Sequence, residues 1–542
     1  MIKNPILTGF YPDPSICRVE DDFYLVTSTF SFFPGVPIFH STDLVHWEQI
    51  GHVLDRISQL SLNPGCISGG IYAPTVRYHN GTFYMITTNV SHGGNFIVTA
   101  QNPAGPWSDP HWVENAEGID PSLFWDDDGK AYYTGTSRYS LEKAMIWISE
   151  IDLKEFKLVG EKKHIWGGAL ENCASPEAPH LYKKNGWYYL MIAEGGTEFY
   201  HAVTIARSKN IFGLYEGCPG NPILTHRQLG MYYPICNVGH ADLVELKDGN
   251  WYMVMLGSRI YGGYHKNMGR ESFIAPVIWE NEWPVVSPCT GRLEWTYPAP
   301  ELPHMPVTPV PARDDFDKDV LAYQWNFLGT PINNVYKLED SKLKLRTIDK
   351  AICPEDGTNV RRTFASVEAL SFVGRRQQHM SYTVKAFMLF KPVSQKESAG
   401  LIILQNLYHS IRVEMVMQNG KRMLRVIKGY VQLDTYLCHN YTDEAEYHQE
   451  ICNQLEWDSE VVIFLLKAEN QYNSFYALDN SGKEYIIAEK VDGSFLGSEV
   501  SGGFIGAYIG MFASGNGSDT GNYAEFDWFE YEEWNPNGTG NI

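Results

Sequence analysis

The sequence predicts an all-β protein in which an N-terminal five-bladed β-propeller is followed by a β-sandwich. Two observations carry this: one hairpin pattern recurs five times in the first half, and long alternating apolar–polar segments follow a proline-rich stretch. The first hairpin lies in "GFYPDPSICRVEDDFYLVTST" at residues 9–29. Its segment "DPSICRVEDDFYLVTS" (13–28) has counterparts in "APTVRYHNGTFYMITT" (73–88), "DPSLFWDDDGKAYYTG" (120–135), "APHLYKKNGWYYLMIA" (178–193) and "HADLVELKDGNWYMVM" (240–255). Each joins a short apolar run to a run rich in Tyr and other aromatics through a turn such as Asn-Gly, Asp-Gly or Asp-Asp, a β-hairpin signature. Taking Pro14, Pro74, Pro121, Pro179 and Ala241 as markers, the spacings are 60, 47, 58 and 62 residues. Five such units suit a propeller whose innermost strands line a central channel. An unrelated string of sandwich hairpins explains five copies poorly.

The residue before each marker then becomes informative. It is Asp13, Ala73, Asp120, Ala178 and His240 in turn, and Glu177 stands one residue earlier in the fourth unit. Equivalent positions opening the inner strands converge on the channel mouth, so three carboxylates and an imidazole are expected in one cavity. Singly, each has a plainer reading, since an aspartate before a turn caps backbone N–H groups and a lone buried histidine is usually a satisfied core residue. Their coincidence at repeat positions favours a shared site. Asp13 also stands between two prolines, and proline pushes the residue before it toward an extended conformation. A stiff, extended backbone is therefore expected to aim its carboxylate. Carboxylates gathered in a pocket of sugar size suggest glycoside hydrolysis, which needs a general acid for the leaving oxygen and a second carboxylate as base or nucleophile.

Composition narrows the partners. A net charge of −21 would repel nucleic acid and anionic membranes, whereas neutral ligands are not penalised. The aromatic fraction of 14% suits sugar-stacking surfaces as well as β-rich cores. Nine scattered cysteines contain no CxxC pair, so neither a disulfide framework nor a cysteine zinc site is suggested. "MIKNPILTGF" lacks an apolar leader-like run, and the expectation is a reduced, cytoplasmic protein. The sequon at 80–82 reads as a chance match.

The motifs "PDPS", "GIDPSLFWDDDG", "SPEAPHLY" and "AEGGT", together with "TSTFSFFPGVPIFHSTDLVHW" (27–47), "TIARSKNIFGLYE" (204–216), "VGHADLVE" (238–245) and "GRESF" (269–273), resemble glycoside hydrolase family 43. The likeness covers nearly the whole chain and is closest to the family's two-domain β-xylosidases and α-L-arabinofuranosidases. It implies an inverting reaction with Asp13 as general base, Glu177 as general acid and Asp120 as modulator of the acid's pKa. Arg270 resembles the family's sugar-contacting arginine; its plain alternative is a loop arginine at the surface. Phe30, Tyr72 and His240 join the implied substrate-binding residues. His240 lies where some members hold calcium or an ordered water. No cofactor is required, no metal ligand is certain, and a channel calcium stays open because such sites favour oxygen ligands. Tyr72 stands where many of these xylosidases have Trp, and "YYTGTSRYS" (132–140) lacks an aromatic often placed there, so arabinofuranose competes with xylopyranose as the preferred sugar.

Residues 1–297 are read as the propeller, 298–313 as a proline-rich linker, and 314–542 as the sandwich. Six prolines between 298 and 311 favour an extended segment lying across the propeller. Beyond it, "SYTVKAFMLF", "SAGLIILQ" and "AEFDWFEYEE" alternate as antiparallel strands do. "RDDFDKDVLAYQWNF" resembles the lectin-like sandwich of these enzymes, which sends a loop over the active site. "SGGFIGAYIGMFAS" (501–514) is the candidate source, with Phe504 as the contact; a core strand is the rival reading. The expected partners are short pentose oligosaccharides, with no nucleic acid or membrane; a homo-oligomer is left open. A sugar-binding propeller without catalysis would not need three convergent carboxylates. An endo-arabinanase would want an open groove and usually no sandwich.

Overall fold

Aromatic and β-branched runs separated by tight turns pair first with their sequence neighbours. The computed structural model describes residues 1–137, 144–169, 174–361, 366–431 and 444–535. Its first half forms five successive antiparallel sheets. Their innermost strands are Ser15–Val19, Thr75–His79, Ser122–Trp125, Glu177–Lys184 and Ile235–Glu245. Each packs beside the inner strands of the sheets before and after it, and the fifth returns to the first, which closes a five-bladed ring. Residues 2–7 latch this closure. Ile2–Lys3 pairs with Thr296–Tyr297, and Leu7 bridges Ser272. Buried Asn4 donates from Nδ2 to the Ile274 and Glu294 carbonyls at 2.9 and 3.0 Å and accepts from Ile274 N–H at 3.0 Å.

Strand residues two apart share a face. Two positions below the mouth, the inner strands therefore present a second ring: Ser15, Thr75, Ser122, His180 and Asp242, all buried. This ring stitches every blade junction. Val76 N–H donates to Ser15 Oγ (3.1 Å), Thr75 Oγ1 to the Pro121 carbonyl (3.0 Å), and Ser122 Oγ to the Pro179 carbonyl (2.5 Å). Tyr182 Oη donates to Asp242 Oδ1 and Ser15 Oγ to Asp242 Oδ2, both at 2.6 Å. Arg77 grips the same carboxylate with both Nη atoms, at 2.8 and 3.1 Å.

Residues 298–312 contain no strand or helix and run along blade one. There Thr42 Oγ1 donates to the Pro303 carbonyl (3.2 Å) and Met305 N–H to Asp43 Oδ2 (3.0 Å). Arg313–Asp314 already belongs to the sandwich, pairing with Tyr523–Glu533. Among the described residues, one sandwich sheet has eight strands and the other seven. Ser381–Leu389, in the former, buries every second residue as its alternation requires. Ser398–Asn406, in the latter, is buried at every position, because its sheet is covered on both faces. Leu401 and Ile403 join the sandwich core, whereas Ile402 and Leu404 cluster with Phe372, Tyr508 and Phe512 and with propeller residues Phe10, Phe30 and Phe32. Phe32 and Tyr508 stack at 3.8 Å. Two short ladders cross the interface, Phe32–Phe33 with Phe327–Leu328 and Gly65–Cys66 with Ser366–Val367. The seven cysteines among the described residues are free thiols, and no helix there is long and apolar enough to cross a membrane. Cys173, Cys438 and the 138–140 end of "YYTGTSRYS" lie outside the described residues.

Candidate active site

The mouth of the channel is built on strained backbone. Asp13, Asp120, Ala178 and His240, at four equivalent blade positions, all take positive φ, at 55, 54, 53 and 47°. Such conformations cost on the order of 1–3 kcal/mol each and persist where surrounding contacts over-determine them. The extended backbone expected of Asp13 is thus corrected: tertiary contacts override the local preference set by Pro14. Ser272 Oγ donates to the Tyr11 carbonyl (2.6 Å), Tyr11 N–H to the Arg270 carbonyl (3.1 Å), and Gly9 N–H to Glu271 Oε1 (2.7 Å). "GRESF" in blade five therefore holds the approach to Asp13. In blade three, Gly118 has φ +86°, and a Cβ there would lie 1.4 Å from the Thr136 carbonyl oxygen, so only glycine admits the turn into Asp120.

The carboxylate of Asp13 is buried, with Oδ1 2.7 Å from Arg270 Nη1 and Oδ2 accepting from Ser28 Oγ. His240 Nδ1 lies 3.7 Å from Oδ1. Burial pushes the Asp13 carboxyl up, but the charges of Arg270 and His240 and the Ser28 bond more than offset it, leaving the pKa below its ordinary value. His240 is itself pushed down by burial, so at neutral pH the cation that keeps Asp13 ionised is Arg270. Asp120 behaves oppositely. Burial, then the negative charges of Glu177 and Asp13, raise it well above the usual carboxylate range, against a hydrogen bond from Ala178 N–H and the charge of Arg270. Glu177 opens the inner strand of blade four and is half-buried.

Arg270 organises the walls. Beyond Asp13, it donates to Thr197 Oγ1 (3.1 Å) and to the Phe504 carbonyl (3.2 Å), and its guanidinium lies 5.3 Å from the Phe30 ring centroid. Phe30 packs against Tyr72 at 5.1 Å, and Phe504 lies 6.0 and 6.3 Å from these two rings. Tyr72 is raised by burial and feels the charges of Asp120, Arg270 and Glu177. The eight residues expected at the site, Asp13, Phe30, Tyr72, Asp120, Glu177, His240, Arg270 and Phe504, thus form one linked cluster. Both readings of 501–514 hold for different parts: Tyr508–Ser514 is a core strand, and residues 502–507 are the loop reaching the mouth. Phe504 N–H donates to Ser68 Oγ (3.0 Å) and Ala507 N–H to the Asn267 carbonyl (2.8 Å), while a Cβ on Gly506 would lie 2.5 Å from the Met268 carbonyl oxygen.

Calcium does not suit the surroundings of His240. The nearby oxygens of Asp13 are committed to Arg270 and Ser28, those of Asp242 to Arg77, Ser15 and Tyr182, and two guanidinium groups supply positive charge. Calcium wants several free oxygens. Sequence reasoning missed Ser28, Ser68, Thr197 and His201. The His201 ring is buried, donates from Nδ1 to the Asn237 carbonyl (2.9 Å), and leaves Nε2 without a protein partner; burial pushes its pKa down to about 3. Thr197 was signalled by "AEGGT"; nothing in the local sequence marks the others.

A buried carboxylate held ionised, Asp13, and two further carboxyl groups whose charges act on each other, Asp120 and Glu177, meet at one propeller mouth and supply what acid–base cleavage of a glycosidic bond requires, so fold and site together define a glycosidase. The chain belongs to the glycosyl hydrolases family 43, whose model matches residues 2–284; residues 313–532 match the beta xylosidase C-terminal concanavalin A-like domain. It is 46% identical to a xylosidase/arabinosidase of Butyrivibrio fibrisolvens, over 98% of this chain and 99% of that protein. It is 39% identical to a non-reducing end alpha-L-arabinofuranosidase of Bacteroides ovatus, over 98% and 94%. Among solved structures, a xylan beta-1,4-xylosidase from Bacillus halodurans superposes with a TM-score of 0.88 at 35% identity, covering 98% of this chain and 100% of that one.

Proposed function

We propose that the protein is an exo-acting, inverting glycosidase that releases xylose and arabinose from the non-reducing ends of short xylo- and arabino-oligosaccharides. The observation that carries the exo reading is the sandwich loop 502–507, which brings Phe504 against Phe30, Tyr72 and Arg270. A mouth roofed in this way suits the end of a chain rather than its interior. Relatives named for both xylosidase and arabinofuranosidase activity, and Tyr72 in the wall, support one pocket for two pentoses.

In this reading Asp13 is the general base. Its carboxylate, kept ionised by Arg270, takes a proton from the attacking water. Glu177 is the general acid, and its partial exposure gives it access to the leaving oxygen. Asp120 tunes the acid. Three carboxylates face one guanidinium, with His201 and His240 neutral, so the Asp120–Glu177 pair is expected to share one proton at neutral pH.

Asp13 and Glu177 belong to blades one and four, which are not neighbours in the ring. Inverting pairs stand roughly 6.5–9.5 Å apart to admit water, retaining pairs roughly 5–5.5 Å, and the blade placement favours the wider class. Proton NMR of fresh product tests this: a β-xyloside is expected to yield α-xylose first, and β-xylose appearing first would overturn the mechanism. Asp120→Asn removes a negative charge beside Glu177, so the acid should lose its proton more readily. The alkaline limb of the pH–rate profile is then expected to move to lower pH, with reduced maximal turnover. An unchanged profile at full activity would make Asp120 a structural turn residue.

A further inference from the structure

Away from the channel mouth, blade one and the proline-rich stretch bring together Asp43, His46 and His304, and nothing in the proposed reaction uses them. One ligand-type atom from each lies within 4.8 Å of the others. His46 Nδ1 is 2.7 Å from Asp43 Oδ2, and the His46 and His304 rings face each other at 4.8 Å with 27° between their planes. We propose that these three side chains form a site for a divalent transition ion of the zinc type, which clips the proline-rich stretch onto blade one.

Three features support a ligand set rather than a chance cluster. First, Asp43 is pre-oriented. Its Oδ1 accepts from Val45 and His46 N–H at 2.9 and 2.8 Å, and its Oδ2 from Met305 N–H at 3.0 Å. Outer hydrogen bonds of this kind fix metal-binding carboxylates. Second, the donors are suitable. Two imidazoles and one carboxylate suit zinc, copper or nickel, and calcium and magnesium poorly. Third, there is a way in. Asp43 is buried, His46 half-buried and His304 exposed, so water can complete a four-coordinate shell. Zinc bonds of ~2.0–2.2 Å put ligand atoms ~3.3 Å apart, and rotation of exposed His304 closes the remaining gap.

The ion would stand between Asp43 Oδ2 and His46 Nδ1, in place of their direct 2.7 Å contact. It would also tie residues 43 and 46 to residue 304 and stabilise the docked stretch.

The test uses the full chain, stripped with chelator and dialysed, then titrated with zinc while heat of binding and melting temperature are followed. Wild type is expected to take up one zinc with a rise in melting temperature, and magnesium and calcium to do neither. His304→Ala and His46→Asn are expected to weaken zinc binding by at least the roughly 10–100-fold that loss of an outer-shell partner costs. Both should keep hydrolytic activity. No saturable zinc binding by wild type would overturn the proposal. So would equal binding by wild type and His304→Ala, which would assign the metal to thiols such as exposed Cys289.

Discussion

Asp13→Asn is expected to leave a folded protein whose turnover of a β-xyloside falls by about 10²–10⁴-fold, the usual worth of a general base. The amide is nearly isosteric, and its oxygen can still accept from Arg270 or from Ser28, so the channel mouth should keep its shape. It cannot take the proton of an attacking water. The loss should fall on kcat, because the walls formed by Phe30, Tyr72 and Phe504 are untouched. Glu177→Ala provides the contrast. It should lose as much on natural oligosaccharides but be partly spared on aryl glycosides, whose leaving groups need less protonation. A folded Asp13→Asn enzyme with near-normal turnover would reduce Asp13 to a structural counter-ion of Arg270.

Asp242→Asn is expected to cost about 3–5 kcal/mol of stability, the range for removing one partner of a buried ion pair. Asp242 is fully buried and gripped by both Nη atoms of Arg77. The amide would leave the mostly buried guanidinium charged and uncompensated. Urea unfolding of both proteins checks the figure, and a change below about 1 kcal/mol would show that water or a rearrangement satisfies Arg77. The double variant Asp242→Asn/Arg77→Met should recover much of the loss, because it removes the stranded charge while the amide oxygen still accepts from Ser15 or Tyr182. Burial pushes the Asp242 carboxyl up, but Arg77 outweighs this and leaves it far below its ordinary value. The sign follows: the stabilisation is complete above the ordinary carboxylate pKa of about 4 and is lost only as pH falls toward the depressed folded value.

The propeller was legible because five hairpins share one pattern, and Asp13, Asp120, Glu177 and His240 were legible because each sits at or beside one position of it. The same periodicity carried a second message that was not read. Ser15, Thr75, Ser122, His180 and Asp242 stand two residues further on, where strand geometry returns the side chain to the channel. Small hydroxyl residues look like ordinary strand polarity, and only the partners across blades reveal the stitching. Ser68 was illegible because it acts through one hydroxyl on Phe504, 436 residues away, and Ser28 because nothing in the hairpin pattern singles out its hydroxyl, although it lies only 15 residues from Asp13. The conformation of Asp13 was misread because proline's local preference is weak beside several tertiary bonds. Phe504 was reached through resemblance, since a strand and a loop share the segment 501–514 and alternation alone cannot divide them.

The latch at residues 2–7 bears on how the molecule comes into being. Its partners, Ser272, Ile274, Glu294 and Thr296–Tyr297, leave the ribosome some 270 residues later. Blades one to four can each form from local hairpins as they emerge, but the circle has to wait for blade five to meet the waiting end. Closing so long a loop is slow relative to local pairing. Until it happens Asp13 lacks Arg270, and until residues 502–507 follow, Arg270 lacks the Phe504 carbonyl. Chains released before residues 502–507 are made should therefore be inert.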